Sequence, residues 1–571
     1  MKHPSAVRGG PSGRLPLIDV LRLGRPAEIW YKHAVSVVVA TAPPSLLLVA
    51  LGRLDLAVYT TAGSLCALYA HNRPYSARAR ALAGVIAGMV AGLAVALTAA
   101  SLTSSGVALV AVGAVLAALH KALCDAAGVG PPGSVILTFV SSAALFAPQT
   151  LGQVPGHVGL ALAAGGFSWL VGMAPGLLRP HGPERRAVVQ ALRRVAAHAE
   201  SAHRAEPDGE AAAQRRADAA GALHNAWQTL LTTGRRSSSR RPLGRALVRA
   251  EAVLAAPAPG DAAELRDLAD RLRGLARVPD TFGPALDGED EDELLGVEME
   301  RAFRAPSLRH RLVPLRAVAL RTLLGCALAG WASLALGIGR PYWALVTAAS
   351  LFQANLSLTW NRSVQRVVGN LAGVAVFAVL APVAHLSPWT LVLTVLALSF
   401  GAEALISRNY WLGSLCVTPM ALLVTEYAHL QDTPGLVVER TVDTLVGALV
   451  GLVAAVAVTD RRAADRVAAA LGRARAARQR TEALLSGPFA GPGALAAARR
   501  ELAAELVGLR GTVQAASGEW WLRALPTEDV MREERAGHRT LAATVRHPRP
   551  GPAAVTRPSH HPSATTEDAT S

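Results

Sequence analysis

Residues 33–178 contain seven Asp, Glu, Lys and Arg side chains, and residues 179–312 contain forty-two. No single solvent suits both stretches. A soluble domain usually carries about a quarter charged residues. The first stretch therefore has too little charge to face water, and the second far too much to enter lipid. A second charge-poor stretch at 316–459 is again followed by a charged one. The chain alternates between hydrocarbon and water, and at 571 residues it is too long for one core.

A helix needs about twenty apolar residues to cross the hydrocarbon layer. On that rule the first spans are 33–51, 54–70, 81–103, 105–123, 132–147 and 156–178. The second set is 316–338, 342–360, 365–384, 388–406, 410–430 and 440–459. Pro43 and Pro44 interrupt the first span, which predicts a kink or break with neighbours satisfying the freed carbonyls. The expected fold is all-α: a polytopic helical membrane protein with two repeated halves of about six transmembrane helices, each followed by a cytoplasmic helical domain.

The repeat is legible in four matched pairs. Thr61-Ala62-Gly63-Ser64-Leu65 matches Thr347-Ala348-Ala349-Ser350-Leu351, and Gly84-x-x-x-Gly88 matches Gly369-x-x-x-Gly373. Gly133-Ser134-x-x-x-Thr138 matches Gly413-Ser414-x-x-x-Thr418, and Glu184-Arg185-Arg186-Ala187 resembles Asp460-Arg461-Arg462-Ala463. The pairs keep their order at offsets of 276 to 286, and an even-numbered repeat inserts both halves in the same orientation.

Arg73, Arg78, Arg80, Lys121, Arg362, Arg366 and Arg408 fall on one set of loops, against Arg53, Arg340 and Arg440 on the other. The richer set belongs inside the cell. The expected organisation is a basic cytoplasmic arm at 1–32, a first membrane half at 33–178 and a cytoplasmic helical domain at 179–315. A second membrane half at 316–459, a cytoplasmic helical region at 460–536 and a disordered tail at 537–571 complete it. The middle domain breaks near 206–209, 234–241 and the acidic run 287–293.

Several functions are disfavoured. The net charge of +16 is spread beside the hydrophobic spans rather than gathered in one basic domain, so nucleic acid is not an expected partner. There is no phosphate loop, no H-E-x-x-H and no G-x-S-x-G, so the chain does not read as an ATPase or a common hydrolase. Cys66, Cys124, Cys326 and Cys416 stand singly, without metal or redox spacing, and read as small buried hydrophobes. His560-His561 reads as tail rather than metal site. No metal, cofactor or enzymatic activity is expected.

Polarity at membrane depth is costly and so points to function. Asp443 shares a helical face with Gly447 and Gly451, and Arg440 lies one turn earlier, within pairing reach. Arg366 precedes Gly369, Asn370 and Gly373 on one face. Trp343, Thr347, Ser350 and Ala354 form a stripe with Asn355 beside it, either lining a cavity or beginning an aromatic belt. Arg321 sits one turn inside its span. Gly84, Gly88, Gly369, Gly373, Gly447 and Gly451 are expected at close helix contacts.

Arg340-Pro341-Tyr342-Trp343-Ala344-Leu345, Arg362-x-x-x-Arg366-x-x-Gly369-Asn370-x-x-Gly373 and Arg440-x-x-Asp443-x-x-x-Gly447 resemble the fusaric acid resistance family, the aromatic acid exporters of bacterial inner membranes. The resemblance implies two membrane halves, each with a cytoplasmic helical domain. The first half departs from it: with Gly165 matched to Gly447, Val158 and Ala161 stand where Arg440 and Asp443 would be.

Residues and resemblance together lead to the expectation of an efflux permease for small organic anions, aromatic carboxylates above all, driven by the proton gradient. A substrate carboxylate would be drawn to Arg366, Arg440 or Arg321, with Asp443 as the protonatable group. A passive anion channel and a non-transporting membrane scaffold remain alternatives. Expected partners are the lipid bilayer and the substrate, with a second copy of the chain or a periplasmic adaptor as candidate protein partners.

Topology is directly testable. A reporter fused after Leu178 or Thr459 should be active only as a cytoplasmic fusion, and one at Ser387 or Gln153 only as an external one. A periplasmic signal from the middle domain would break the six-plus-six count.

Overall fold

The computed structural model describes residues 19–24, 29–202, 210–232, 240–255, 257–273, 312, 315–353, 355–458, 463–487, 492–517 and 525–546. Among these every regular element is a helix. The first half comprises α1 (Trp30–Ala50), α2 (Ala57–Ser64), α3 (Tyr75–Leu102), α4 (Gly106–Ala126), α5 (Val135–Ala144) and α6 (Val154–Met173), and α7 (Pro175–Leu178) ends it. Four polar helices follow: α8 (Gly182–Ala202), α9 (Glu210–Leu231), α10 (Arg240–Ala255) and α11 (Asp261–Arg273). The second half holds α12 (Arg316–Ala335), α13 (Tyr342–Leu351), α14 (Leu356–Ala384), α15 (Pro388–Ile406), α16 (Tyr410–Thr425) and α17 (Thr433–Ala457). Last come α18 (Ala463–Ser486), α19 (Pro492–Ala516) and α20 (Thr527–Arg546).

The twelve apolar segments are not equal. Among the described residues eight helices are long and apolar enough to cross a membrane: α1, α3, α4, α6, α12, α14, α15 and α17. The second and fifth of each half are shorter, at Leu54–Leu68, Val135–Ala144, Tyr342–Leu351 and Tyr410–Thr425. Hydropathy alone could not separate these classes, because a short helix packed inside protein is as apolar as a crossing one. All ten residues of α13 are buried. Its chain leaves the helix at Phe352 with an extended backbone, as the first half does at Tyr69. Such breaks are tolerated at membrane depth only where protein surrounds them.

Helix contacts in one half have counterparts in the other. In the first half α2 packs on α6, α3 on α5 and α6, and α4 on α5. In the second α13 packs on α17, α14 on α16 and α17, and α15 on α16. The halves meet by a reciprocal exchange, α1 against α15 and α4 against α12. At the first contact Trp30 meets Phe400 edge to face at 6.2 Å; at the second the Trp331 indole donates to the carbonyl of Val107 at 3.1 Å.

Helix α1 runs unbroken through Pro43 and Pro44. Pro44 has no N–H for the carbonyl of Ala40, and the hydroxyl of Ser64 on α2 donates to that oxygen instead, at 2.9 Å. The neighbouring helix thus supplies what the proline removed.

The polar helices bury one face and wet the other. Helices α8 to α11 close around Leu192, Val195, Trp227, Leu247 and Leu268, and α18 to α20 around Val467, Leu471, Leu502 and Leu509. The two groups touch: Arg499 of α19 pairs with Glu251 of α10 at 2.8 Å, and that carboxylate also accepts from the Trp227 indole at 2.6 Å. Helix α20 continues to Arg546, past residue 537, where the composition predicts the start of a disordered tail. Its charged surface hid an apolar stripe that packs on α18 and α19. The acidic run 287–293 and the His560-His561 pair lie outside the described residues.

His198 lies within electrostatic range of His538 across these two groups. Burial, helped by Arg216 beside both, pushes each down from 6.5 to about 4. Both are therefore neutral when the helices are packed. Below about pH 6.5 the unfolded segment takes up protons that the packed one does not, so packing is strongest above that value and weakens progressively toward about 4. Amide exchange over α8 and α20 should accelerate across this window, and His538→Gln should flatten the dependence.

Candidate functional site

The second half contains a seam of polar side chains between α12, α13, α14, α16 and α17. Its centre is Arg440, 2 % exposed, on the first half of α17. A guanidinium at that depth needs a counterweight, and Trp343 supplies it: the Arg440 Cζ lies 4.0 Å from the centroid of the ring. Nε and Nη1 of Arg440 have no hydrogen-bond partner. Phe139 of α5 stacks on Trp343, with centroids 5.4 Å apart, so the first half braces the site.

Asp443 does not form the ion pair with Arg440 that the sequence spacing suggested. Its Oδ1 accepts from the hydroxyl of Ser333 on α12 at 2.6 Å, and its Oδ2 has no partner. The two side chains share one helix but reach different neighbours, since both α12 and α13 pack on α17. Spacing along a helix shows who can meet; the neighbours decide who does.

Toward the start of α14, Arg366 donates through Nη1 to the Tyr410 hydroxyl at 3.0 Å, and its Nε has no partner. Arg362 lies over the Tyr410 ring at 3.9 Å. Between Arg366 and Arg440 runs a short relay. Thr418 donates to Asn370 Oδ1 at 2.9 Å, and Asn370 Nδ2 donates to Thr444 at 3.2 Å. Arg366 and Arg440 are within electrostatic range of one another.

Residues 19–24 lie across the Arg366 end of this seam. Gln365 and Asn409 donate to the carbonyl of Val20, each at 3.0 Å, and the Trp411 indole donates to that of Leu21 at 3.1 Å. Gly24 closes the strap by donating its N–H to the carbonyl of Arg408 at 2.9 Å.

Of the residues singled out from sequence, the structure gathers Arg366, Trp343, Asn370, Arg440 and Asp443. It places others elsewhere. Arg321 donates through Nε and Nη2 to the carbonyl of Val458, capping the far end of α17. That is eighteen residues, about 27 Å of helix, from Arg440. Asn355 caps α14 by accepting from the N–H of Leu358 at 2.8 Å, and Ser350 donates to the carbonyl of Thr347 at 2.7 Å. Trp343 is buried, against Arg440 and Phe139, rather than lying in an interfacial belt. Ala354 is outside the described residues. Sequence reasoning missed Tyr410, Ser333 and Thr444. Thr418 stood in the repeat pairs without being recognised as part of a site.

The glycines also divide. A Cβ on Gly447 would collide with the carbonyl of Ala344 and lie 2.8 Å from the Thr347 Cβ; one on Gly451 would meet Leu351 at 3.0 Å. Gly369 and Gly373 face α16 equally closely, at 2.6 Å from Ser414 and 2.8 Å from Thr418. Gly84 and Gly88 do not serve this purpose. A Cβ on Gly84 would meet nothing within 4 Å, and one on Gly88 only Leu137 at 3.5 Å. Helix α3 turns Leu82, Val85, Met89 and Gly92 inward instead. The first half's tight contact is Gly63 against Ala161–Gly165, the counterpart of Gly447 against α13. Accordingly Gly447→Ala should lower stability by about 1–3 kcal/mol through overpacking. Gly84→Ala should leave it unchanged or slightly raised. Thermal melts of the two purified variants compare them directly.

No curated protein and no solved structure matches the chain. A family model does: residues 322–454, the segment that holds the whole of this seam from Ser333 to Gly451, match the one described as fusaric acid resistance protein-like. With the eight apolar helices, this match makes the chain a multi-pass membrane protein of the transporter type carrying a fusaric acid resistance protein-like domain.

Proposed function

We propose that the chain exports small organic anions, aromatic carboxylates in particular, and that Arg440 is the residue that takes the carboxylate. One observation carries the reading: a guanidinium buried among the helices with Nε and Nη1 unsatisfied and an aromatic face against it. Such a group is stable enough to exist without ligand and gains a charge-assisted hydrogen bond when an anion arrives. Moving Arg440 toward a carboxylate uncovers the Trp343 face, which then accepts an aromatic ring. A single ligand carrying both groups replaces both halves of the resting contact.

Arg362 and Arg366 form the approach to Arg440, on the side covered by residues 19–24. Asp443, buried and held by Ser333, is the group that exchanges a proton during the cycle. Its partner differs from that of Arg440, although the two charges act on each other. On this reading the end of the bundle near the polar helices faces the cytoplasm, and the seam carries the anion outward.

The test uses the full chain in proteoliposomes, with benzoate as probe and an imposed proton gradient. Gradient-driven benzoate flux is expected. Arg440→Gln should weaken benzoate binding by about 10- to 100-fold, the effect of losing one charge-assisted hydrogen bond. Asp443→Asn, which keeps a hydrogen-bonding partner for Ser333, should leave binding intact and make flux indifferent to the gradient. Unaltered benzoate flux in Arg440→Gln would overturn the assignment. Wild-type flux that ignores the gradient would make the protein a passive anion channel.

A further inference from the structure

Another buried guanidinium has an unsatisfied donor, and it lies in the other half. Arg78, on the first turn of α3, is 4 % exposed, and its Nε has no hydrogen-bond partner. Its Nη2 donates to Nδ1 of His71 at 3.1 Å, and Nε2 of His71 lies 2.9 Å from the carbonyl oxygen of Ala67. A carbonyl only accepts, so Nε2 carries the proton and Nδ1 offers its lone pair to Arg78. The imidazole is then neutral: it orients the guanidinium without cancelling its charge. The ring of His33 packs on His71, with centroids 4.1 Å apart.

More positive charge surrounds this pair. Lys32 of α1 is within electrostatic range of Arg78, Arg179 and Arg186, and Arg186 is within range of Arg78. Glu184, also buried, lies in range of Tyr75 at the rim, and both it and Arg186 make further interactions. Gly172 of α6 lies alongside the guanidinium; a Cβ there would stand 3.8 Å from Nε and 3.6 Å from Nη2, and 2.8 Å from Leu82 Cδ1. The cluster sits where α3 begins and α6 ends, beside the polar helices, which touch it where the Ser76 hydroxyl donates to the carbonyl of Thr232 at 3.5 Å.

Four cationic side chains drawn together repel one another, and a single carboxylate would balance them poorly. A phosphate suits them better, with its higher charge and tetrahedral oxygens that accept from several directions. We infer that this end of the first half binds a phosphate-class anion, with Arg78 as the buried donor and Lys32, Arg179 and Arg186 as the surrounding charge. Either a phospholipid headgroup or a soluble phosphate presents that chemistry. The site is separate from the Arg440 seam and does not depend on what the seam carries.

Two arms distinguish the sources, both with the full chain in nanodiscs and the thermal midpoint as readout. In phosphatidylcholine discs, inorganic phosphate is titrated against chloride at equal ionic strength. In the other arm the discs contain phosphatidylglycerol and no phosphate is added. A saturable rise of the midpoint is expected in at least one arm, and which arm responds identifies the source. Arg78→Gln should weaken the response by about tenfold or more. Arg78→Lys should keep part of it, and Arg440→Gln should leave it whole. If Arg78→Gln fails to fold, Lys32→Gln at the rim takes its place and should weaken the response. No rise in either arm, or an undiminished rise in the substituted protein, overturns the inference.

Discussion

A guanidinium enclosed by apolar helices has to be held by something, and Arg440 is held by the face of Trp343. Much of the second half can be read as the conditions for that contact. Helix α17 must come close to α13, which Gly447 and Gly451 allow by presenting no side chain to Ala344, Thr347 and Ala348. Helix α13 must begin inside the protein rather than at its surface, and it is short and wholly buried. Trp343 must not tilt away, and Phe139 from the first half stacks behind it. A site made mostly by one half therefore depends on the other for its rigidity.

The two halves share an arrangement of helices without sharing chemistry. The α2–α6 contact in the first half corresponds to α13–α17 in the second. With Gly165 matched to Gly447, Val158 and Ala161 would stand at the positions of Arg440 and Asp443, and Ala161 is packed directly against Gly63. Where the second half buries an arginine on an indole, the first packs backbone on backbone. Its own polar residues lie elsewhere: His71 and Arg78 near one end, and His120 beside Gly92, its Nδ1 buried without a partner. Duplicated packing with divergent side chains is what repeated membrane halves permit, since small residues at the contacts preserve the geometry and the remaining positions are free to change.

Segments outside the bundle bear on it directly. Residues 19–24 lie over the end of the seam nearest Arg366, held by the side chains of Gln365, Asn409 and Trp411. The polar helices reach the bundle at both halves, through Ser76 with Thr232 in the first and through Asn355 with the carbonyl of Gln514 in the second. They also join one another through Arg499, Glu251 and Trp227. The polar helices are thus tied to both apolar halves by direct hydrogen bonds.

The alternation of charge, the apolar segments and the cost of polarity in hydrocarbon are local properties, and the sequence by itself determined them. They were enough to name Arg440, Asp443, Arg366, Asn370 and Trp343, and to put Gly447 and Gly451 on one face. What only the tertiary structure decided was which segments are long helices and which are buried short ones, since both are equally apolar along the chain. It also decided the partners. Asp443 turned to Ser333 and Arg440 to Trp343, although their spacing allowed a pair. Arg321 went to the end of α17, and Gly84 faced outward despite a motif shared with Gly369. Tyr410 could not be recognised from its neighbours because its role comes from two arginines more than forty positions away. In each case the deciding atoms belong to another helix, and a hydrogen bond or a close contact is a property of two surfaces, of which a sequence motif describes only one.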